Sequence, residues 1–248
     1  MSFERLLAEW FRVNGRELPW RETRDPYAIL VSEVMLQQTQ VARVVPRYLE
    51  WLRRWPKVED LAIASRTDVI KAWQGLGYNR RAVNLHRAAQ LVAQRGWPDD
   101  LTELPGVGRY TADAIGCFAF GGHVLPLDVN VKRVLERSRM PFGAESAQAL
   151  MDLGATVCLA RIPHCSDCPL ADGCPSRGRR YEPLRKQGPF EGSFRQRRGH
   201  ALRAVLAGEE PDDEEALAAL QRDGLVELVD RRPLQGNTDE IQTLLTRP

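Results

Sequence analysis

Long apolar runs are missing from this 248-residue chain. None of its apolar stretches approaches the roughly 20 residues that a membrane helix needs. The N-terminus, MSFERLLAEWFRVNGR, interleaves charges with apolar residues and lacks the core of a secretory signal. Both absences read as an intracellular, cytoplasmic protein with no membrane partner. Aromatics are few, at 7%, and net charge is slight: 35 Lys and Arg offset 33 Asp and Glu, leaving +2. An ordinary hydrophobic share, 43%, excludes a mostly disordered or collagen-like chain. Spread evenly, so small a charge argues against a nucleic-acid partner. It is not spread evenly. Ten Lys and Arg face four Asp and Glu between Arg161 and Arg203, while residues 209–215 hold six acids. The acidic segment cancels, arithmetically, a basic surface able to meet phosphates.

Cysteine is also sparse, with five in all. Cys117 stands alone in GCFAFG and reads as a small buried hydrophobe. The other four, Cys158, Cys165, Cys168 and Cys174, form C-x6-C-x2-C-x5-C. Four cysteines so close in an intracellular chain read as metal ligands before disulfides. Zinc sites more often show paired C-x2-C elements, and here there is one such pair. Pro163 and Pro169 between the ligands suit a compact loop around a [4Fe–4S] cluster, which the chemistry favours over zinc, with disulfides third.

Period-two alternation is almost missing before Cys174, so residues 1–175 read as helical. Phe3, Leu6, Leu7, Trp10 and Phe11 recur at helical spacing. Asp25-Pro26 is a start signal for a helix through YAILVSEVMLQQ. Amphipathic runs follow over 41–55, closed by Pro56, and through 61–64, 69–73 and 81–94, with Gly/Pro-marked turns at GLGYN and LPGVG. The stretch 176–200 is basic, Gly/Pro-rich and aperiodic, and reads as a linker or a nucleic-acid-facing arm. In the small element 201–248, a helical EEALAAL leads into an alternating LVELV, the pattern of a winged-helix tail. The acids at its entry read as a solvated helix start favoured by the dipole.

Two features carry chemistry. In LPGVGRYTA (104–112), Gly106 and Gly108 permit positive φ and close backbone approach. A helix starting there exposes N–H groups suited to a DNA phosphate. A lone GxG would be an ordinary turn; the full string is a helix-hairpin-helix signature. The second feature is a pair of carboxylates. Glu33, in the apolar YAILVSEVML, loses solvation, which pushes its pKa up and suits a general acid. Asp128, in LPLDVNVKRVL, reads as a helix N-cap whose backbone N–H bonds favour the ionised form. Cleavage of an N-glycosidic bond wants this division: one group protonates the leaving base, the other faces the oxocarbenium charge. Read from pattern alone, both have bland alternatives, Asp128 as a cap and Glu33 as an exposed helix residue.

The strings LPWR (18–21), SEVMLQQTQV (32–41), GLGY (75–78), LPGVGRYTADAI (104–115), LDVNVKRVL (127–135) and the cysteine loop 158–174 together resemble the HhH-GPD superfamily of base-excision DNA glycosylases, and within it the MutY adenine glycosylases. The resemblance implies an all-α, two-lobed fold. Residues 18–126 would form a six-helix barrel lobe with the hairpin, and 1–17 with 127–175 an iron–sulfur lobe. It implies that Glu33 protonates adenine and then handles water, that Asp128 stabilises the oxocarbenium or bonds to C1′, and that Asn130 supports the site. Tyr110 stands where bifunctional relatives such as endonuclease III carry a Schiff-base lysine. A phenol cannot form that imine, which implies a monofunctional enzyme leaving an abasic site. Gln38 and Tyr78 match residues that wedge into the duplex, offsetting the cost of extruding a base. Leu36 and Gln37 line the same helix end, Leu76 shares the GLGY loop, and Gly106, Val107, Gly108 and Thr111 form the hairpin contact to DNA. The cysteines match the family's [4Fe–4S] loop.

The chain departs from the family pattern at Asn79 and at Val129, which adds bulk beside Asp128. Positions 175–248 are also too few for the Nudix-like domain with which MutY enzymes read 8-oxoguanine. The expectation is a nucleoid-associated monomer that excises adenine opposite 8-oxoguanine or guanine from duplex DNA. A second reading is a glycosylase of the same fold for thymine or uracil in a mismatch, or for a deaminated purine. A third is a non-catalytic DNA-binding module.

Overall fold

The computed structural model describes residues 2–182 and 188–226, and among these it contains eleven α-helices and no strand. Capping chemistry sets most helix starts. Ser2 caps α1 (Phe3–Asn14), and Asp25 with Pro26 opens α2 (Pro26–Leu36). After α3 (Val41–Arg54) and α4 (Val58–Ala62), Ser65 caps α5 (Arg66–Ala72). Helices α6 (Arg80–Arg95), α7 (Arg109–Phe118), α8 (Val129–Ser138) and α9 (Ala147–Thr156) follow. No helix among the described residues is long and apolar enough to cross a membrane.

Helix α2 has no polar face, and a helix of that kind is stable only inside a core. It is buried from Tyr27 to Met35 and packs against α3, α6 and α7. Trp51 meets Trp55 and Trp73 edge to face at 4.6 and 5.5 Å in the same core. Such pairs add about 0.5–1.5 kcal/mol each beyond area burial. A second core joins α1, α8 and α9 through Leu7, Val131, Val134, Leu150 and Leu153. There Gly154 lets α9 lie against α8, since a Cβ at this position would sit 2.6 Å from the Asn130 Cβ. The two cores are pinned by Asp152 of α9, whose fully buried carboxylate takes bonds from Arg16 and Arg21 at 2.6–2.9 Å.

The C-terminal segment differs from its sequence reading. Helix α10 (Phe194–Ala207), capped by Ser193, begins inside the stretch expected to be linker and pairs with α11 (Glu214–Arg222). Ala201, Leu202, Ala216 and Leu220 form a third core on Ile70 of α5 and Val83 of α6. The aperiodic look of α10 comes from arginines that are paired. Arg197 binds Asp213 at 2.6 Å and Glu215 at 2.8 Å, and Arg198 binds Asp223. Arg197 is thus neutralised by the acidic segment, and Arg198 by Asp223 beyond it. Of the strand-like LVELV, Leu225 is buried in the third core; everything after Val226 lies outside the described residues, as does 183–187 of the expected linker. The described part of the expected winged-helix tail is a helical pair.

Candidate active site and nucleic-acid interface

Glu33 lies on the last turn but one of α2 and is 6% exposed. Burial raises its pKa from 4.5 to about 7, the Asp128 charge adds to the rise, and a hydrogen bond from Tyr110 opposes it. Tyr110, at the start of α7, is itself pushed far up by burial and by the two carboxylates, so it remains a donor. Asp128 is the N-cap of α8: its Oδ1 accepts from the amides of Asn130 at 2.9 Å and Val131 at 2.6 Å, and its Oδ2 from the Asn130 Nδ2 at 2.9 Å. Every partner of Asp128 is a donor, as a carboxylate requires. Glu33, Tyr110, Asp128 and Asn130 are thus brought together from two lobes by α2, α7 and α8.

The sequence reading missed the residue that ties this site to the cysteine loop. Arg133 donates to Asn130 Oδ1 at 2.7 Å, to the Gly154 carbonyl at 2.6 Å and to the Cys158 carbonyl at 2.7 Å. It fixes the amide that in turn holds Asp128.

At the far end of α2, Gln37 Nε2 reaches Thr111 Oγ1 at 3.5 Å. Gln38 and Tyr78 are exposed, and both adopt positive φ, 55° and 46°. Non-glycine residues in this region carry strain of roughly 1–3 kcal/mol and cluster at functional sites. Leu36 is half-buried against the first core, and Leu76, 3% exposed, is a member of it, so Leu76 supports the loop from inside rather than presenting a surface of its own.

The hairpin's two glycines do different work. Gly106 has φ +80°, and a Cβ there would sit 2.8 Å from the Asn84 Cβ of α6, so fold and packing both demand glycine. Gly108 does not use the positive φ expected of it: at φ −89° it is extended, and a Cβ would meet nothing within 4 Å. Its bareness has no packing cause and leaves the amides of α7 open to a partner. Val107 and Thr111 are buried and anchor the turn from inside.

Cys158, Cys165, Cys168 and Cys174 are all unpaired and line one recess, together with Arg137, His164 and Arg177. Among the described residues, no three His, Cys, Asp or Glu side chains converge as a single metal ion requires. Cys165 Sγ accepts from the Gly178 amide at 3.2 Å, and Cys158 Sγ from Arg137 Nη1 at 3.6 Å. Arg137 is steadied by Tyr181, whose ring centroid lies 3.7 Å from the guanidinium carbon.

Architecture and site together define a DNA N-glycosylase of the helix-hairpin-helix class. More narrowly, the chain belongs to the HhH-GPD superfamily of base excision DNA repair proteins, whose family model matches residues 31–156. It is 42% identical to the adenine DNA glycosylase of Mycobacterium tuberculosis over 240 residues, covering 83% of this chain and 79% of that one. To the adenine DNA glycosylase of Homo sapiens it is 39% identical over 233 residues, covering 77% of this chain and 42% of that one. Among solved structures, a thermostable thymine-DNA glycosylase matches with a TM-score of 0.63 and 28% identity, over 70% of this chain and 94% of that one. A trapped endonuclease III–DNA covalent intermediate shares the fold, with a TM-score of 0.59 and 22% identity over 71% of this chain and 97% of that one.

Proposed function

We propose that this glycosylase excises adenine opposite 8-oxoguanine or guanine in duplex DNA, acting as a monofunctional monomer. The observation that carries the chemistry is Glu33, a buried acid titrating near neutrality and bonded to a phenol. Near pH 7 it is part protonated, so it can hand its proton to the departing base and, as the carboxylate, take one from water. Asp128, held by donors on one side, faces the oxocarbenium charge with the other. No step requires an amine, and Tyr110 supplies none. The substrate base follows from the adenine DNA glycosylase relatives.

The cysteine recess supports a [4Fe–4S] cluster bound by Cys158, Cys165, Cys168 and Cys174. Zinc sites more often pair C-x2-C elements, and this loop has one such pair in C-x6-C-x2-C-x5-C, with all four thiols lining one recess. Arg137 and the Gly178 amide supply the donors that cluster sulfurs accept. When bound, the cluster cross-links the loop that follows Arg133 and offers redox-active iron. The exposed hairpin and the loops at 37–38 and 76–78 would meet the duplex.

The test is a panel of duplexes with single mispairs, incubated and then treated with alkali. Strand scission at A opposite 8-oxoguanine or G is expected. The likeness to a thymine-DNA glycosylase supplies the second arm. Scission at T or U opposite G, or at a deaminated purine, without scission at A would replace the adenine reading. Scission nowhere, with duplex binding intact, would leave a DNA-binding module.

A further inference from the structure

Arg81 has no part in the chemistry above, yet it is among the most heavily bonded side chains in the molecule. Its Nη1 donates to the carbonyls of Val34 at 2.8 Å, Met35 at 3.0 Å and Gln37 at 2.6 Å. Its Nη2 donates to Thr39 Oγ1 at 3.1 Å and to the carbonyls of Leu76 at 3.0 Å and Gly77 at 2.9 Å. The Thr39 hydroxyl also lies 3.3 Å from the Gln37 carbonyl and 3.4 Å from that of Leu76. All six acceptors belong to two segments: the end of α2 with the turn after it, and the loop before α6. Those segments carry Gln38 and Tyr78, two of the three exposed non-glycine residues at positive φ among the described residues. Trp73 lies beneath the guanidinium at 5.2 Å and donates its Nε1–H to the Gly77 carbonyl at 3.1 Å. The clamp is bought at a cost, because the Arg81 Nε is buried without a partner. Val34, Met35 and Gln37 carry the last carbonyls of α2, so half of the clamp is a helix C-cap; the bonds to Leu76 and Gly77 carry it across to the second loop.

We propose that Arg81, with the Thr39 hydroxyl, is a positioning device for base extrusion: it locks the two loops into one rigid wedge, so that Gln38 and Tyr78 enter the duplex together. The proposal rests on the reading of this chain as an adenine glycosylase in which those two residues wedge. A lysine cannot replace it, since three donors on a single nitrogen do not span six carbonyl and hydroxyl oxygens in two loops.

The test compares the full-length protein with Arg81→Lys and Thr39→Val in single-turnover excision. One substrate is a fully paired duplex bearing A opposite 8-oxoguanine. The other carries the same adenine in a short bubble, where extrusion costs little. For Arg81→Lys the expected loss is about 10²-fold on the paired duplex, the scale of a misplacement near 1 Å. On the bubble the loss should be a few-fold, and the pH midpoint of the rate should stay where it is in the wild type, because Arg81 is not among the groups that shift Glu33. Equal losses on both substrates, a displaced midpoint, or wild-type rates throughout would overturn the proposal. Should Arg81→Lys fail to fold, Thr39→Val carries the test, with about tenfold selective loss expected. If the wild type releases adenine from neither substrate, the adenine reading fails separately. The wedge is then read by 2-aminopurine fluorescence at the target position, which rises on extrusion in the wild type and not in the variants; equal rises would overturn it.

Discussion

A carboxyl group near the end of a fully buried helix loses the water that would ionise it, and Glu33 titrates near 7 for that reason. Glu33→Gln removes the acid and leaves the hairpin, so excision should fall by about 10²–10⁴-fold while duplex affinity stays within a few-fold. The same substitution has an opposite effect on stability. A raised folded-state pKa contributes stability that is complete below the unfolded value, near 4.3, and is lost as pH rises through about 7. Glutamine never ionises, so the variant should gain on the order of 2 kcal/mol over wild type at pH 8 and little at pH 4. Denaturant melts at the two pH values check this; a variant less stable at pH 8 would contradict the assigned environment. Tyr110→Phe probes the opposing bond. That bond lowers Glu33, so its loss should raise the pH at which excision declines above about 7. A downward displacement would show that the phenol holds something other than the carboxylate. Glu33 and Asp128 were legible in the sequence because each announces its surroundings locally, one by an apolar run and the other by a cap position. Arg81 and Arg133 were not, since most of their partners are backbone carbonyls, which every residue has. The one local sign was an arginine in the first turn of α6, where the helix dipole disfavours a cation.

At the scale of elements, helix bounds followed the sequence where a cap or a Gly/Pro stop marks them. They failed at α10, whose buried positions are few and whose arginines find their acids well downstream, at Asp213, Glu215 and Asp223. The hairpin was recognisable as a string, but its two glycines looked equivalent and are not. Gly106→Ala forces a side chain into positive φ and against Asn84. It should destabilise the fold by about 1–3 kcal/mol and weaken duplex binding with it. Gly108→Ala meets no protein atom and needs no unusual φ. It should leave the melting temperature unchanged and still weaken binding several-fold, because the methyl stands where a phosphate approaches the α7 amides. Melting curves and fluorescence anisotropy on one duplex separate the two. If Gly108→Ala binds as tightly as wild type, the hairpin's open end is not the contact.

At the scale of the molecule, Glu33 and Asp128, the carboxylates proposed to carry the reaction, sit in different lobes, and something must hold them to a common geometry. Arg21 leads into α2, which carries Glu33; Asp152 lies on α9, which packs against α8 and so behind Asp128. The Arg16–Asp152–Arg21 pin is a polar link between these halves, made around a carboxylate with no exposed surface. Burial alone would raise Asp152, but the bonds from Arg21 and Arg16 outweigh it and hold the carboxyl below its ordinary value. Its contribution to stability is therefore present above the unfolded pKa, about 3.9, and is lost as pH falls through the lower folded value. Asp152→Asn leaves two arginines facing a neutral amide, and breaking a buried pair in this way costs about 3–5 kcal/mol. At about 2–4 °C per kcal/mol for a protein of this size, the melting temperature at pH 7 should drop by roughly 6–20 °C. The difference from wild type should shrink as pH falls below the unfolded value, about 3.9, toward the lower folded one. If the pin sets the spacing of Glu33 and Asp128, single-turnover excision should fall about 10²-fold even well below the variant's melting temperature, with duplex affinity nearly unchanged. A variant that melts early but excises at the wild-type rate would show that the lobes keep their register through packing alone.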